Sequence, residues 1–337
     1  MLKVMQIGYG YWGANVAKKI FASEMFTFVY LAEEDEDRRC AAKKQFSDHV
    51  KIVENYKKYL DTDIDAVVIC TQTKYSFEIA MSAMEHKKHV FIEKPVAINV
   101  AKTKQLIEKA TEQKRILHCD HLMVYNPVIR YIKTMIDSGE IGDIMYIDVE
   151  RVNLGPIRKD INAMLDLAVH DIAVVDYLLG GVVPDHISAY GTRFFGAQET
   201  ITYLTMKCKE VLVNINSSWI SPMKIRRMTV AGTHKMLVFD DLKMDKLSIY
   251  DRGIEAVQGK EYGEYEFKTR IGDIHTPYIE MSDSLQNSLE HFADCILEQK
   301  DSLSGPAQSL RVMKILETAQ QYLEKQPKSN VIEDTIK

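Results

Sequence analysis

Positive charge is not in surplus in this chain. Lysine and arginine number 43 against 48 aspartate and glutamate, for a net charge of −5 at pH 7. Domains that grip a phosphate backbone are basic, so no nucleic-acid partner is expected. Long apolar runs are missing too. No stretch approaches the ~20 residues that a membrane-spanning helix needs, so no membrane partner is expected either. Cysteine is scarce and scattered, at Cys40, Cys70, Cys119, Cys208 and Cys295, with no C-x-x-C pair. That argues against a disulfide framework or a structural zinc, and it fits a reducing cytoplasm. There is no internal repeat and no low-complexity linker. Met1–Ile7 already reads as a strand rather than a targeting segment.

What is present is enough chain for two cores: 337 residues, 46 % hydrophobic and 27 % charged. Residues 1–120 alternate short apolar runs with amphipathic segments. Strands are expected at Lys3–Ile7, Phe26–Leu31, Ala66–Cys70, Val90–Ile92 and Ile116–His118. Helices are expected between them, at Trp12–Phe21, Asp37–Phe46, Phe77–Glu85 and Asn99–Gln113. Such alternation implies right-handed crossovers and a doubly wound parallel sheet of the Rossmann type. Over 121–337 the pattern changes to neighbouring strands with few turn residues between them: Ile144–Val152, Ile187–Tyr190, Ile201–Lys207, Val211–Ser218, Met228–Ala231, Met236–Phe239 and Leu247–Tyr250. Helices are expected at Asn126–Ser138, Met164–Leu179, Ser284–Gln299 and Gln308–Glu324. The expected architecture is an α/β domain followed by an α+β domain on an open-faced, mostly antiparallel sheet.

Gly8-Tyr9-Gly10-Tyr11-Trp12-Gly13 follows the first strand and opens the first helix. The G-x-G-x-x-G spacing suits a dinucleotide. Gly8 permits the tight turn, Gly10 lets backbone approach a pyrophosphate, and Gly13 allows close helix–strand packing. The helix N-terminus then offers N–H groups to phosphate. Glu33 ends the second strand, where an acid accepts the hydroxyls of an adenosine ribose. Glu34, Asp35 and Glu36 follow and would repel a 2′-phosphate, so NAD is expected in preference to NADP. Read blandly, the same run is a solvated acidic turn.

Glu93-Lys94-Pro95 closes a parallel strand, where doubly wound folds place their ligands. Lys94 there can stabilise a developing oxyanion; alone it reads as a surface lysine. Asp166 and His170 stand at i and i+4 in a helix rich in leucine and valine. Histidine suits the removal of an alcohol proton near neutral pH. An ordinary polar pair on a helix is the competing reading. His118-Cys119-Asp120-His121 resembles a ligand cluster, but no second ligand group has recognisable spacing, so no metal is expected.

In their order and separation, Gly8–Gly13, Glu33, Glu93-Lys94-Pro95, Tyr125-Asn126-Pro127 and Asp166-x-x-x-His170 resemble the Gfo/Idh/MocA family of oxidoreductases. The resemblance implies a nicotinamide cofactor and a sugar, polyol or nucleotide-sugar substrate. It implies Lys94, Asp166 and His170 as catalytic residues. Cofactor binding falls to Gly8, Gly10, Tyr11, Trp12, Gly13, Glu33, Thr71, Glu93 and Lys94. Substrate binding falls to Lys94, Asn126, Asn153, Arg158, Asp166 and His170. The second domain is expected to mediate a homodimer or homotetramer. A narrower likeness, in Arg151–Gly155, Asp166–Ile172 and Gly232–Asp241, is to the branch acting at C3 of UDP-linked N-acetylamino sugars. The chain departs from the family at Thr71-Gln72-Thr73-Lys74-Tyr75-Ser76, where Gln72 and Ser76 stand in place of a common proline and histidine. A free-sugar or inositol-type dehydrogenase is the alternative enzyme. An NAD(P)-binding sensor without turnover is the alternative outside catalysis.

Overall fold

A computed structural model describes residues 1–181, 183–258 and 265–326. The chain divides into two compact units. One is Met1–Asn126 with Ser282–Lys314; the other is Pro127–Met281 with residues 315–326.

In the first unit, β1 (Leu2–Ile7), β2 (Phe26–Ala32), β3 (Lys51–Val53), β4 (Ala66–Ile69), β5 (His89–Ile92) and β6 (Leu117–Cys119) form one sheet in the order β3-β2-β1-β4-β5-β6. Every pairing is parallel. Buried on both faces, β4 is a continuous apolar run, as parallel strands are. Helices α1 (Tyr11–Ala22), α2 (Glu36–Phe46), α3 (Thr73–Glu85) and α4 (Val100–Glu112) cross between strands. Strand order reverses between β1 and β4, which puts a ligand crevice at the carboxyl edge there.

The sequence reading placed everything beyond residue 120 in the second domain. In the structure, Ser282–Lys314 returns to the first unit. The reason lies in α7 (Ser284–Leu297). Asp283 caps it, accepting from Gln286 N–H at 2.9 Å. Its apolar side chains Leu285, Leu289 and Phe292 complete a core with Val4, Phe46 and Phe91.

The second unit is built on β7 (Ile144–Leu154), β8 (His186–Thr192), β9 (Ile201–Cys208), β10 (Val211–Ser218), β11 (Ile220–Gly232), β12 (Met236–Asp240), β13 (Leu247–Gln258) and β14 (Tyr265–His275). Their order is β14-β13-β12-β11-β7-β10-β9-β8. Pairing is antiparallel except between β7 and β10. Along β7, Ile147, Val149 and Arg151 are buried while Asp148 lies exposed between Ile147 and Val149. This alternation leaves one sheet face polar. The sequence reading missed β14, an edge strand with exposed side chains, and β3, only three residues long.

Helices α5 (Pro127–Asp137) and α6 (Val169–Leu178) pack on one another, and α8 (Pro306–Glu324) is the last helix. One helix was expected over Met164–Leu179. The chain instead makes a π turn at Met164–Ala168 and continues as α6. Asn162 starts the turn, accepting from Leu165 N–H at 3.0 Å. Buried almost all round, α6 meets β7 through a charged pair: Arg151 Nε and Nη2 each donate to Asp171 at 2.7 Å. Both side chains are at most 10 % exposed. A buried bidentate pair is costly to break from one side, because the remaining charge stays dehydrated.

Replacing Asp171 with Asn leaves the Arg151 guanidinium without its anion. The second unit should lose about 3–5 kcal/mol of stability. Thermal unfolding followed by circular dichroism checks this; an unchanged midpoint contradicts it.

Candidate active site

All strands of the first sheet are parallel, so the loops after β1, β2, β4, β5 and β6 emerge on one edge. Gly8 follows β1 with φ of +96°, a conformation that suits glycine. A Cβ there would meet the Cys70 carbonyl oxygen at 2.6 Å, and one at Gly13 would meet the Gly8 carbonyl oxygen at 2.6 Å. The turn is therefore pressed against β4 and closed on itself. Beneath it, the fully buried Gln6 side chain donates to the carbonyls of Gly8 and Gly13, both at 2.8 Å. Gly10 differs, since a Cβ there would meet nothing nearer than Arg38 Nη1 at 3.8 Å.

Helix α1 starts at this turn with no side-chain cap and no acid in its first turn. Its leading N–H groups thus keep their full donor capacity for an anion. Glu33, 8 % exposed, accepts the Tyr9 N–H at 2.6 Å and the Asp35 N–H at 3.0 Å. Its carboxylate stands against the glycine turn with acceptor lone pairs to spare, as a ribose contact requires. These features fit a dinucleotide: Gly10 leaves room where a pyrophosphate would approach, the uncapped α1 N–H groups could donate to it, and Glu33 could accept from a ribose. Arg38 beside Gly10, and Arg39, which donates to the Glu33 and Glu34 carbonyls at 2.9 and 2.6 Å, bring positive charge that the acidic run did not announce.

Tyr11 is 92 % exposed and Trp12 is 38 % exposed. Thr71 follows β4, its methyl against Gly8 and its hydroxyl 3.0 Å from Ser76 Oγ. Ser76, buried, thus holds the departed loop together. Glu93 and Lys94 follow β5, and Asn126, 5 % exposed, ends the first unit. Burial, then the neighbouring Asp120 carboxyl, pushes Glu93 well above the usual carboxyl range.

In the second unit Asp166 sits in the π turn. Arg158 Nη1 donates to its Oδ1 and the Trp219 indole N–H to its Oδ2, each at 3.2 Å. Arg158 also bridges Asp160, at 2.9 and 3.1 Å. His170 lies half-buried at the start of α6, and Asn153 near the end of β7. The structure therefore brings Arg158 and Asp166 together, and groups the residues expected to hold the cofactor on one edge of the first sheet.

Two family models match this chain. One, described as an oxidoreductase family with an NAD-binding Rossmann fold, covers residues 2–121. The other, the GFO/IDH/MocA C-terminal domain, covers residues 129–238. The chain belongs to the Gfo/Idh/MocA oxidoreductase family. An uncharacterised oxidoreductase of Streptococcus pneumoniae is 23 % identical over 61 % of this chain, and that match spans only 59 % of the relative's length. UDP-N-acetylglucosamine 3-dehydrogenase of Acidithiobacillus ferrooxidans is 27 % identical over 75 % of this chain and 78 % of its own. Scyllo-inositol dehydrogenase of Lactobacillus casei, solved with NAD(H) and scyllo-inositol, superposes with a TM-score of 0.78. At 18 % identity, covering 96 % of this chain and 97 % of its own, it shows the fold alone.

Sequence reasoning about this Gfo/Idh/MocA member missed Gln6, Arg38, Trp219 and Asp120. The first three touch predicted residues through contacts that no spacing rule encodes. Asp120, directly after β6, was read with His118–His121 as a strand end beside the cofactor cleft or as plain packing once a metal was set aside, not as a partner of Glu93.

The glycines separate stability from binding. Gly8→Ala, strained and clashing, should cost about 1–3 kcal/mol of stability. Gly10→Ala should leave the unfolding midpoint unchanged and weaken NAD at least about tenfold, a difference of about 1.4 kcal/mol. Calorimetric titration of both variants checks this. Undiminished NAD affinity in Gly10→Ala contradicts the assignment.

Proposed function

We propose that the chain is an NAD-dependent dehydrogenase moving hydride between nicotinamide and a secondary hydroxyl of a sugar, specifically C3 of a UDP-linked N-acetylamino sugar. The observation that carries this reading is the Asp166 carboxylate, braced on both oxygens by Arg158 and Trp219 just ahead of His170. The A. ferrooxidans 3-dehydrogenase, matched across both units, supports the nucleotide-sugar substrate. A carboxylate held by two donors is a fixed acceptor for a hydroxyl and a fixed charge beside an imidazole.

When bound, NAD supplies the carbon that takes the hydride. His170 removes the hydroxyl proton as general base. Lys94 steadies the oxygen on which negative charge grows. Asp166 orients the imidazole or a sugar hydroxyl, with Arg158, Asn153 and Asn126 as further substrate contacts. Tyr11, Trp12, Thr71 and Glu93 line the cofactor.

Two further readings belong with this one. The polar face of the second sheet, where Asn214 donates to Asp148 at 3.0 Å and Arg227 to Glu150 at 3.0 Å, serves as a contact between copies in a homodimer or homotetramer. The five cysteines are all free, which supports a cytoplasmic setting. No helix among the described residues is long and apolar enough to cross a membrane.

Two measurements test the proposal. His170→Asn should lower turnover about 10²–10⁴-fold with NAD affinity intact; full activity removes His170 from the scheme. The reduced-nicotinamide absorbance band should grow when the chain meets NAD and UDP-N-acetylglucosamine, and not with inositols. Reduction by inositols alone replaces the substrate class. NAD binding with no reduction by any hydroxyl compound points to a sensor.

A further inference from the structure

Asp120 follows β6 at the sheet edge that carries Lys94, its N–H bonded to the Ile92 carbonyl at 2.8 Å. Its side chain is fully buried. Oδ1 accepts the Ser288 hydroxyl of α7 at 2.8 Å. The Ser288 oxygen lies 3.0 Å from His118 Nε2, and Ser302 Oγ lies 2.9 Å from His118 Nδ1. Burial holds the His118 imidazole well below its usual range, so the ring is neutral with a single N–H. Ser288 gives its hydrogen to Asp120, so the ring N–H belongs on Nε2, and Nδ1 accepts from Ser302. The chain of donors ends on Asp120 Oδ1, which must be an acceptor.

The second oxygen of that carboxyl, Oδ2, is buried and meets no N–H or O–H among the described residues. The same holds for Glu93 Oε1. The two carboxyls lie within hydrogen-bonding reach of one another. Ionised together and out of water, they would repel, and each would keep an unsatisfied acceptor. One proton between them removes both defects.

We propose that Glu93 and Asp120 share a single proton, as Glu93 Oε1–H donating to Asp120 Oδ2, and that the one remaining negative charge positions the Lys94 ammonium. The second half of this rests on the role proposed above for Lys94. The two carboxyls are then positioning residues, not catalytic ones.

The charge state follows from the surroundings. Burial, then Asp120, pushes Glu93 well above the usual range, whereas burial pushes Asp120 up to about 6. Near neutral pH the proton therefore resides on Glu93, and Asp120 carries the charge. Lys94 is the cation acting on both carboxyls. The Trp12 indole N–H from α1 stands beside Glu93. Asp283 ahead of α7 acts on Asp120, and it is itself paired with Lys19 at 2.9 Å. The Cys70 and Cys119 thiols, raised by burial, stay neutral. Below about pH 6 Asp120 takes up a proton, the pair becomes neutral, and Lys94 loses its counter-charge.

Isotope-edited infrared spectroscopy on the cofactor-free chain carrying ¹³C-glutamate tests the shared proton. At neutral pH a protonated-carboxyl stretching band should shift with the label, vanish in Glu93→Gln and persist in Asp120→Asn. No such band, or one lost in Asp120→Asn instead, overturns the assignment. Kinetics test the positioning. In Glu93→Gln the carboxamide N–H still donates to Asp120 and the single charge survives; because Glu93 also lines the cofactor, kcat is read at saturating NAD, and it falls less than in Asp120→Asn. Asp120→Asn is uncharged; kcat falls at least about tenfold, and the unlabelled carboxyl band that grows in the wild-type chain on acidification through about pH 6 is absent. Equal losses of kcat in both variants, or growth of that band in Asp120→Asn, overturn the positioning role. A chain that shows the band but reduces no NAD contradicts the dehydrogenase reading and upholds the shared proton.

Discussion

The first unit is organised around one hydrogen bond, from the Tyr9 backbone N–H to the Glu33 carboxylate at 2.6 Å. It ties the end of β2 to the turn after β1, and the turn can form only because Gly8 and Gly13 lack side chains where the chain touches Cys70 and itself. Gln6 holds the same turn from below. The result is a rigid loop with an acid on one side and bare helix N–H groups on the other. That combination is costly in conformational freedom and makes sense where a phosphate and a ribose must both be met.

The same principle recurs where side chains carry chemistry. Each group proposed to react is held by buried polar partners that come from distant parts of the chain. In the second unit, Asn162 starts the π turn of Asp166 while its amide donates to Glu199 at 3.0 Å. Arg151 anchors α6 one residue beyond His170. In the first unit, Ser288 and His118 fix the Asp120 carboxyl beside Glu93 and Lys94. Such networks narrow each side chain to one arrangement, and any partner removed leaves a buried group unsatisfied.

This explains what could be read from the sequence. The strand–glycine–helix turn, Glu33 and the parallel sheet are local patterns with fixed periods, and each appears in the structure at its expected place. The residues that hold them are not local. Ser288 reaches Asp120 across 168 positions and Trp219 reaches Asp166 across 53, and no periodicity signals either contact. The π turn at Met164–Ala168 was read as ordinary helix, because one inserted residue hardly disturbs an apolar pattern. The return of α7 to the first unit was equally hidden, since amphipathic spacing says that a face is buried, not against what. Arg38 was passed over for the acids around it, although its guanidinium stands near Gly10.

That last contrast bears directly on the central claim, that the turn and Glu33 are built for NAD. Glu33 faces the turn as a carboxylate, and a 2′-phosphate there would meet like charge; Arg38 is the group that would welcome one. Calorimetric titration of the unmodified chain with NAD and with NADP decides between them. The account predicts that NAD binds more tightly. NADP binding as tightly or more so, or no binding of either, contradicts it.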